Sequence, residues 1–298
     1  MKPKYDVVVV MPIGPNANLA FIEDTLNSFI HYTSCSYKIV IADDSQKGLG
    51  LEIKKIFPDI DIQARSKNFG IGAALYINLA LAYKYVIDNY SFAALFKIDD
   101  DTLIIGKDPE AAALNLFREK PEVGMAGHHQ SGRFYKDDFG NVIDNYWHRQ
   151  QLLKNTSSWK IIRRPIANLT LRKLFIKAVW NGYELGENIQ GGGYFLSERC
   201  LLKLDQAGLL PQHNLKKVKF EEDHIFSLLT KSVGMELGDL HKGDLPFGIT
   251  WKGLPASPEV LQERGKKVIH SVRSWENMNE STIRSFFKNA RVLLPKEV

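Results

Sequence analysis

Up to about Gly127, apolar runs of strand length alternate with stretches whose apolar residues recur at helical spacing. The runs are Val7–Met11, Lys38–Ala42, Ile60–Ala64, Phe92–Ile98 and Val123–Ala126, rich in β-branched and aromatic residues. Between them, Leu19–Ile30 places Phe21, Ile22, Leu26, Phe29 and Ile30 on one helical face, and Ile71–Ile87 does the same with Leu75, Leu79, Tyr83 and Val86. Asp108-Pro109 predicts an N-cap with proline at the first helical position. This alternation predicts an α/β fold: a doubly wound, Rossmann-like, mainly parallel sheet flanked by helices.

Beyond Gly127 the pattern turns polar, aromatic and basic up to about Glu187, with only Leu169–Val179 suggesting a helix. An irregular, substrate-facing insertion is expected there. Regular elements return with Ser197 capping a helix over Glu198–Asp205, a helix around Glu222–Thr230 and a strand over Met235–Leu240. A tail carries its own amphipathic helix over Ser281–Leu294. The expected organisation is one domain over 1–250, divided near 127 and 187, followed by a tail over 251–298.

Composition changes this picture little. With 298 residues, 44% hydrophobic and 24% charged, the chain can bury a core without disulfide or metal staples. Cys35 and Cys200 lie far apart, which excludes a cysteine framework or structural zinc site and suggests a reducing compartment. The apolar run ending at Pro12 is too short to span a membrane and lacks the plan of a signal peptide, so a cytoplasmic protein is expected.

Charge is more informative. The net +5 is unevenly placed: Asn145 to Tyr183 holds eight basic residues and no acid, and Arg264 to Val298 holds eight basic against three acidic. Such segregation suits anionic ligands or a membrane surface. In the insertion, Tyr146, Trp147, Trp159, Trp180 and Tyr183 accompany the cations, which suits an acidic glycan acceptor or packing onto the sheet. In the tail helix, Arg284, Lys288 and Arg291 accompany an apolar face, which either docks on the domain or lies on an anionic membrane. No nucleic-acid module is present, and no nucleic-acid partner is expected.

Asp99-Asp100-Asp101 directly follows the run Phe92–Ile98, placing three carboxylates at the carboxyl end of a buried strand, the edge where open α/β sheets bind ligands. Two unit charges about 5 Å apart repel by roughly 3 kcal/mol at an effective dielectric near 20, which a divalent cation relieves. Carboxylate oxygens together with a diphosphate suit Mg²⁺ or Mn²⁺. Gly191-Gly192-Gly193, ahead of Tyr194-Phe195-Leu196-Ser197, predicts an anchored loop that lets a ligand approach the backbone. Glu222 and Asp223 open a helix, where acids are favoured in any case, and a carboxylate there can act as general base. His241 follows the Met235–Leu240 strand as a candidate metal ligand, with His270 competing. Pro12 and Ile13 end the first strand, and Asp43 and Asp44 the second, on the same edge. A carboxylate there can accept hydrogen bonds from a base or ribose, and Arg65, Lys67 or Asn68 can reach a nucleotide.

In order, Pro12, Asp43-Asp44, Lys67-Asn68, Lys97-x-Asp99-Asp100-Asp101, Gly191–Ser197 and Glu222-Asp223 resemble the glycosyltransferases of the GT-A fold, over about residues 5–245. The first half is similar to glycosyltransferase family 2. The later motifs resemble family 31 β-1,3-glycosyltransferases and Fringe, although those proteins are membrane-anchored and carry cysteines that are missing here. The resemblance implies transfer of a sugar from a nucleotide-diphosphate sugar, with UDP-sugars the common donors, to an acceptor hydroxyl. Asp99, Asp101 and His241 would hold the metal. Pro12, Ile13, Asp43, Asp44, Lys67, Asn68, Lys97 and Asp100 would line the donor site, and the three glycines the donor and acceptor loop. Asp223, beside Glu222, would be the base of an inverting reaction. A sugar nucleotidyltransferase and a non-catalytic nucleotide-sugar or glycan-binding protein are the alternatives.

Overall fold

The computed structural model describes residues 2–66, 70, 72–157, 162 and 164–293. Its main sheet has seven strands in the order β10-β6-β9-β4-β1-β2-β3. These are β1 (Lys4–Ile13), β2 (Tyr37–Asp43), β3 (Asp61–Ala64), β4 (Ser91–Ile98), β6 (Val123–Gln130), β9 (Asn188–Ser197) and β10 (Glu236–Asp239). All run parallel except β9, which pairs antiparallel with both β4 and β6. A small sheet joins β5 (Leu103–Ile104), β12 (Val268–His270) and β11 (Phe247–Ile249), and β7 (Phe134–Lys136) pairs with β8 (Val142–Asp144).

The helices are α1 (Leu19–Tyr32), α2 (Leu49–Ile56), α3 (Ala73–Asn89), α4 (Ala111–Glu119), α5 (Tyr146–Thr156), α6 (Pro165–Trp180), α7 (Glu198–Gln206), α8 (Glu222–Ser232), α9 (Pro258–Glu263) and α10 (Glu280–Leu293). None is long and apolar enough to cross a membrane among the described residues.

A strand covered on both faces must be apolar at successive positions, and β1 shows why its sequence is a continuous run. Val8 and Val10 pack in one core with Tyr76, Tyr83, Leu95 and Phe226, whereas Val7, Val9 and Met11 pack in the opposite one with Leu26, Phe29 and Phe96. Burial of each large side chain stabilises by roughly 1.5–3 kcal/mol. A third core, built on Leu103, Ile269, Val272, Ile283 and Phe287, ties the small sheet to α10.

Two expectations are corrected. The glycine run is no loop: Gly191, Gly192 and Gly193 lie within β9, with Gly193 paired to Ile98. Asp108 does not cap a helix. It adopts φ 50°, outside the extended region an N-cap uses, and its carboxylate accepts the Ser34 hydroxyl at 2.6 Å in place of a first-turn amide, so α4 begins only at Ala111. Of the two places open to the tail helix, the structure shows docking on the domain, with the basic residues Arg284 and Arg291 turned inward. Arg284 and Arg291 are buried and both pair with Asp24 of α1, while Ile283 and Phe287 fill the third core. The insertion is also more regular than its pattern suggests, since α5 and α6 both fall in it.

Candidate functional site

The site is assembled at the carboxyl edge of the main sheet, where Asp99 follows the end of β4. The Asp99 amide donates to the Gly192 carbonyl at 2.9 Å, and the Thr102 hydroxyl donates to the same carbonyl at 2.5 Å, so β9 holds the acidic turn. Asp101 is buried. Its Oδ1 lies 3.1 Å from His270 Nε2, and its Oδ2 accepts from the Ser271 hydroxyl at 2.7 Å and pairs with Arg273 Nε at 2.9 Å. Asp99, Asp101 and His270 each bring one ligand atom to within 4.8 Å of the others.

These residues fit a divalent cation. Since a carbonyl can only accept, His270 Nδ1, 2.9 Å from the Thr250 carbonyl, carries a proton, and this second contact fixes the ring so that Nε2 faces Asp101. Burial alone would lower the His270 pKa; the Asp101 carboxylate more than reverses that and raises it. Burial likewise opposes ionisation of Asp101, but His270, Ser271 and Arg273 hold its carboxyl below the usual range. Asp100 is pushed up to about 6, by burial first and then by its neighbours Asp101 and Asp99. Two carboxylates with one imidazole form a donor set suited to Mn²⁺ or Mg²⁺.

The glycines of β9 exist to make room. A Cβ on Gly192, where φ is 95°, would stand 2.3 Å from His270 Nδ1, and one on Gly191 would stand 3.2 Å from Asp223 Oδ2. Instead, the Gly191 amide donates to Asp223 Oδ2 at 2.7 Å, while Asp223 Oδ1 accepts its neighbour's amide, His224 N–H, at 2.8 Å. Asp223 is thereby held at the start of α8 against the same strand that holds Asp99.

Lys97 bridges the two acidic groups. Fully buried in β4, its ammonium lies 2.7 Å from Asp99 Oδ1 and 3.3 Å from Glu222 Oε1, with the Tyr194 ring 5.4 Å away. Burial would favour the neutral amine, but Asp99 and Glu222 raise the Lys97 pKa above its ordinary value. Burial pushes Glu222 up to about 7, with Lys97 opposing and Asp223 adding to the shift.

The other sequence candidates fare differently. Asp43 accepts the amides of Ser45 at 2.8 Å and Gly50 at 2.9 Å, so both carboxylate oxygens shape the turn between β2 and α2. Asp44 is buried beside Asp43, and its amide donates to the Ile13 carbonyl at 2.9 Å. Pro12 and Ile13 pair with Ala42 and Asp43 at the ends of β1 and β2. Arg65 follows the end of β3, and its guanidinium is engaged by Asn78, with Nε 2.6 Å from the side-chain oxygen. Lys67 and Asn68 lie outside the described residues.

Between the two candidate histidines, the fold brings His270 to the carboxylates. His241 is buried, its ring stacked 3.6 Å from that of His128, and burial lowers its pKa to about 2. Ser271 and Arg273 were not singled out from the sequence, because they neighbour a histidine in a tail that carries no motif. Arg284 is also missed as a support: it donates to the Asp100 carbonyl at 2.7 Å and to the Thr25 hydroxyl at 3.1 Å. The tail docks on the domain, one of the two places its sequence allowed, and supplies part of the site.

No protein-family model and no curated protein matches the chain. Among solved structures it is similar to the apo structure of the WbbM bifunctional glycosyltransferase, with 14% identity over 98% of this chain and 50% of that one, at a TM-score of 0.53. It is also similar to the mannosyltransferase PcManGT from Pyrobaculum calidifontis in complex with GDP-Man and Mn²⁺, with 14% identity over 80% of this chain and 56% of that one, at a TM-score of 0.44. The chain spans about half the length of both. The likeness to WbbM is one of fold: the mainly parallel α/β sheet flanked by helices is a glycosyltransferase fold.

Proposed function

We propose that the protein is a divalent-cation-dependent glycosyltransferase. It moves a sugar from a nucleotide-diphosphate sugar, with a UDP-sugar the first donor to try, to a hydroxyl of a glycan acceptor, with inversion at the anomeric carbon. The observation that carries this reading is the convergence of Asp99, Asp101 and His270 at the carboxyl edge of a glycosyltransferase-type sheet.

Asp99, Asp101 and His270 would hold the cation, which supplies charge neutralisation to a departing diphosphate. Lys97 fixes the Asp99 carboxylate through its 2.7 Å contact, and Thr250 fixes the His270 tautomer. Asp223 is the base. Its two oxygens each accept one backbone amide, which orients the carboxylate and leaves further lone pairs for an acceptor hydroxyl. Asp223 takes the hydroxyl proton as the acceptor oxygen bonds to the anomeric carbon, and the bond from that carbon to the diphosphate breaks on the opposite side.

The test is Asp223→Asn, assayed with Mn²⁺ and a panel of nucleotide sugars for release of nucleoside diphosphate. A loss of about 10²–10⁴-fold is expected, with cation-dependent nucleotide binding retained. Near-normal turnover in the variant would remove Asp223 from the base role. Absence of nucleotide-sugar binding in the wild type would overturn the whole reading.

A further inference from the structure

Helix α6 is apolar on two faces, only one of which is covered. Its inner face, Ala167, Leu171, Leu174 and Ala178, is buried in the core that also contains Phe226 of α8. Positions 166, 169, 173, 176 and 180 follow one another at intervals of three and four, so they share the opposite face. There Ile166 is 66% exposed, Leu169 43%, Ile176 45% and Trp180 86%. This outer stripe is thus an apolar face left in solvent.

The charges around the stripe identify what covers it. Lys173 lies within the stripe and Arg172 and Lys177 flank it, all three exposed, and no acid occurs anywhere from Asn145 to Tyr183. Glu184, past the end of the helix, is the first acidic residue the chain reaches. An apolar stripe set among cations, with a tryptophan at its end, matches the layered chemistry of an anionic bilayer surface: acyl chains below, phosphates above, and an interface that favours the indole.

We infer that the outer face of α6 is a docking surface for an anionic phospholipid membrane, on which the helix lies in the plane of the interface. The inference is independent of the reaction proposed above. The inner face of the same helix packs on α8, whose first turn carries Asp223, so docking would bring the bilayer within one helical layer of that residue.

The experiment is co-sedimentation of the full chain with vesicles of phosphatidylcholine alone and of phosphatidylcholine with phosphatidylglycerol in roughly 3:1 ratio. Binding to the mixed vesicles only, weakened by added salt, is expected. Ile176→Ser with Trp180→Ser should lower the partition coefficient about tenfold or more. Lys173→Glu with Lys177→Glu should lower it comparably while leaving every apolar contact in place. All four positions are exposed, and circular dichroism checks that both variants are folded. Equal binding to both vesicle types, binding to neither, or a solution dimer that the Ile176→Ser/Trp180→Ser variant dissociates would overturn the inference, the last by showing that a second copy covers the stripe.

Discussion

His270 occupies the space that a side chain at residue 192 would need, since a Cβ on Gly192 would stand 2.3 Å from its Nδ1. Gly192 also adopts φ 95°, so alanine there meets both a steric and a backbone penalty. Gly192→Ala is expected to push the imidazole off Asp101, to weaken Mn²⁺ binding about 10- to 100-fold, and to lower stability by about 1–3 kcal/mol. Calorimetric titration with Mn²⁺ and urea unfolding measure the two effects.

The choice between histidines has its own test. His270→Ala removes one of three convergent donors and should reduce Mn²⁺ affinity at least as much as the glycine variant does. His241→Ala leaves that group intact and should bind Mn²⁺ as the wild type does, although it loses the stack on His128 and some stability. Equal loss in both variants would mean that His241 belongs to the metal site.

Lys97 is buried between Asp99 and Glu222, and removing one partner of a buried pair strands the other. Lys97→Met is expected to cost about 3–5 kcal/mol in urea unfolding. Adding Glu222→Gln should recover part of that loss, because one stranded charge is then gone. A double variant less stable than Lys97→Met would show that Glu222 does not depend on the lysine.

The tail should not be separable from the domain. Arg284 joins α10 to Asp24, Thr25 and the Asp100 carbonyl, so Arg284→Ala leaves the half-buried carboxylate of Asp24 with Arg291 as its remaining cation. A loss of about 1.5–3 kcal/mol is expected in thermal or urea unfolding. If the variant unfolds at the wild-type midpoint, the tail helix is not anchored by this residue.

Acid should destabilise the fold through its buried histidines. Burial lowers His128 from 6.5 to about 4 and His224 to about 3, while burial together with His224 lowers His148 to about 3. In the unfolded chain each imidazole gains a proton near pH 6.5, whereas in the folded protein it stays neutral well below that. Stability is therefore intact above pH 6.5 and falls as pH drops toward 4, by up to about 1.4 kcal/mol per pH unit for each such histidine. His270, with its raised pKa, acts in the opposite sense: it favours the fold below pH 6.5 and loses that contribution as pH rises. Urea midpoints across this range check the sum, and His148→Gln with His224→Gln should flatten the decline.

Local spacing made the strands and helices of the first half legible, because apolar residues at periods of two and 3.6 report which face of an element is buried. The acidic turn after Phe92–Ile98 and the pair Glu222-Asp223 were legible for a similar reason: their neighbours in sequence already place them at a strand end and a helix start. Glycine has no side chain to display a period, so Gly191–Gly193 suggested a loop. Their place in a strand follows from Asp223 and His270, two side chains remote in sequence that need the space. Equally, nothing local separates His241 from His270, or a tail that docks from one that lies on a membrane. Which segments meet depends on how the apolar faces of the whole chain pack together, and that packing placed His270 against Asp101 and turned Arg284 toward Asp24.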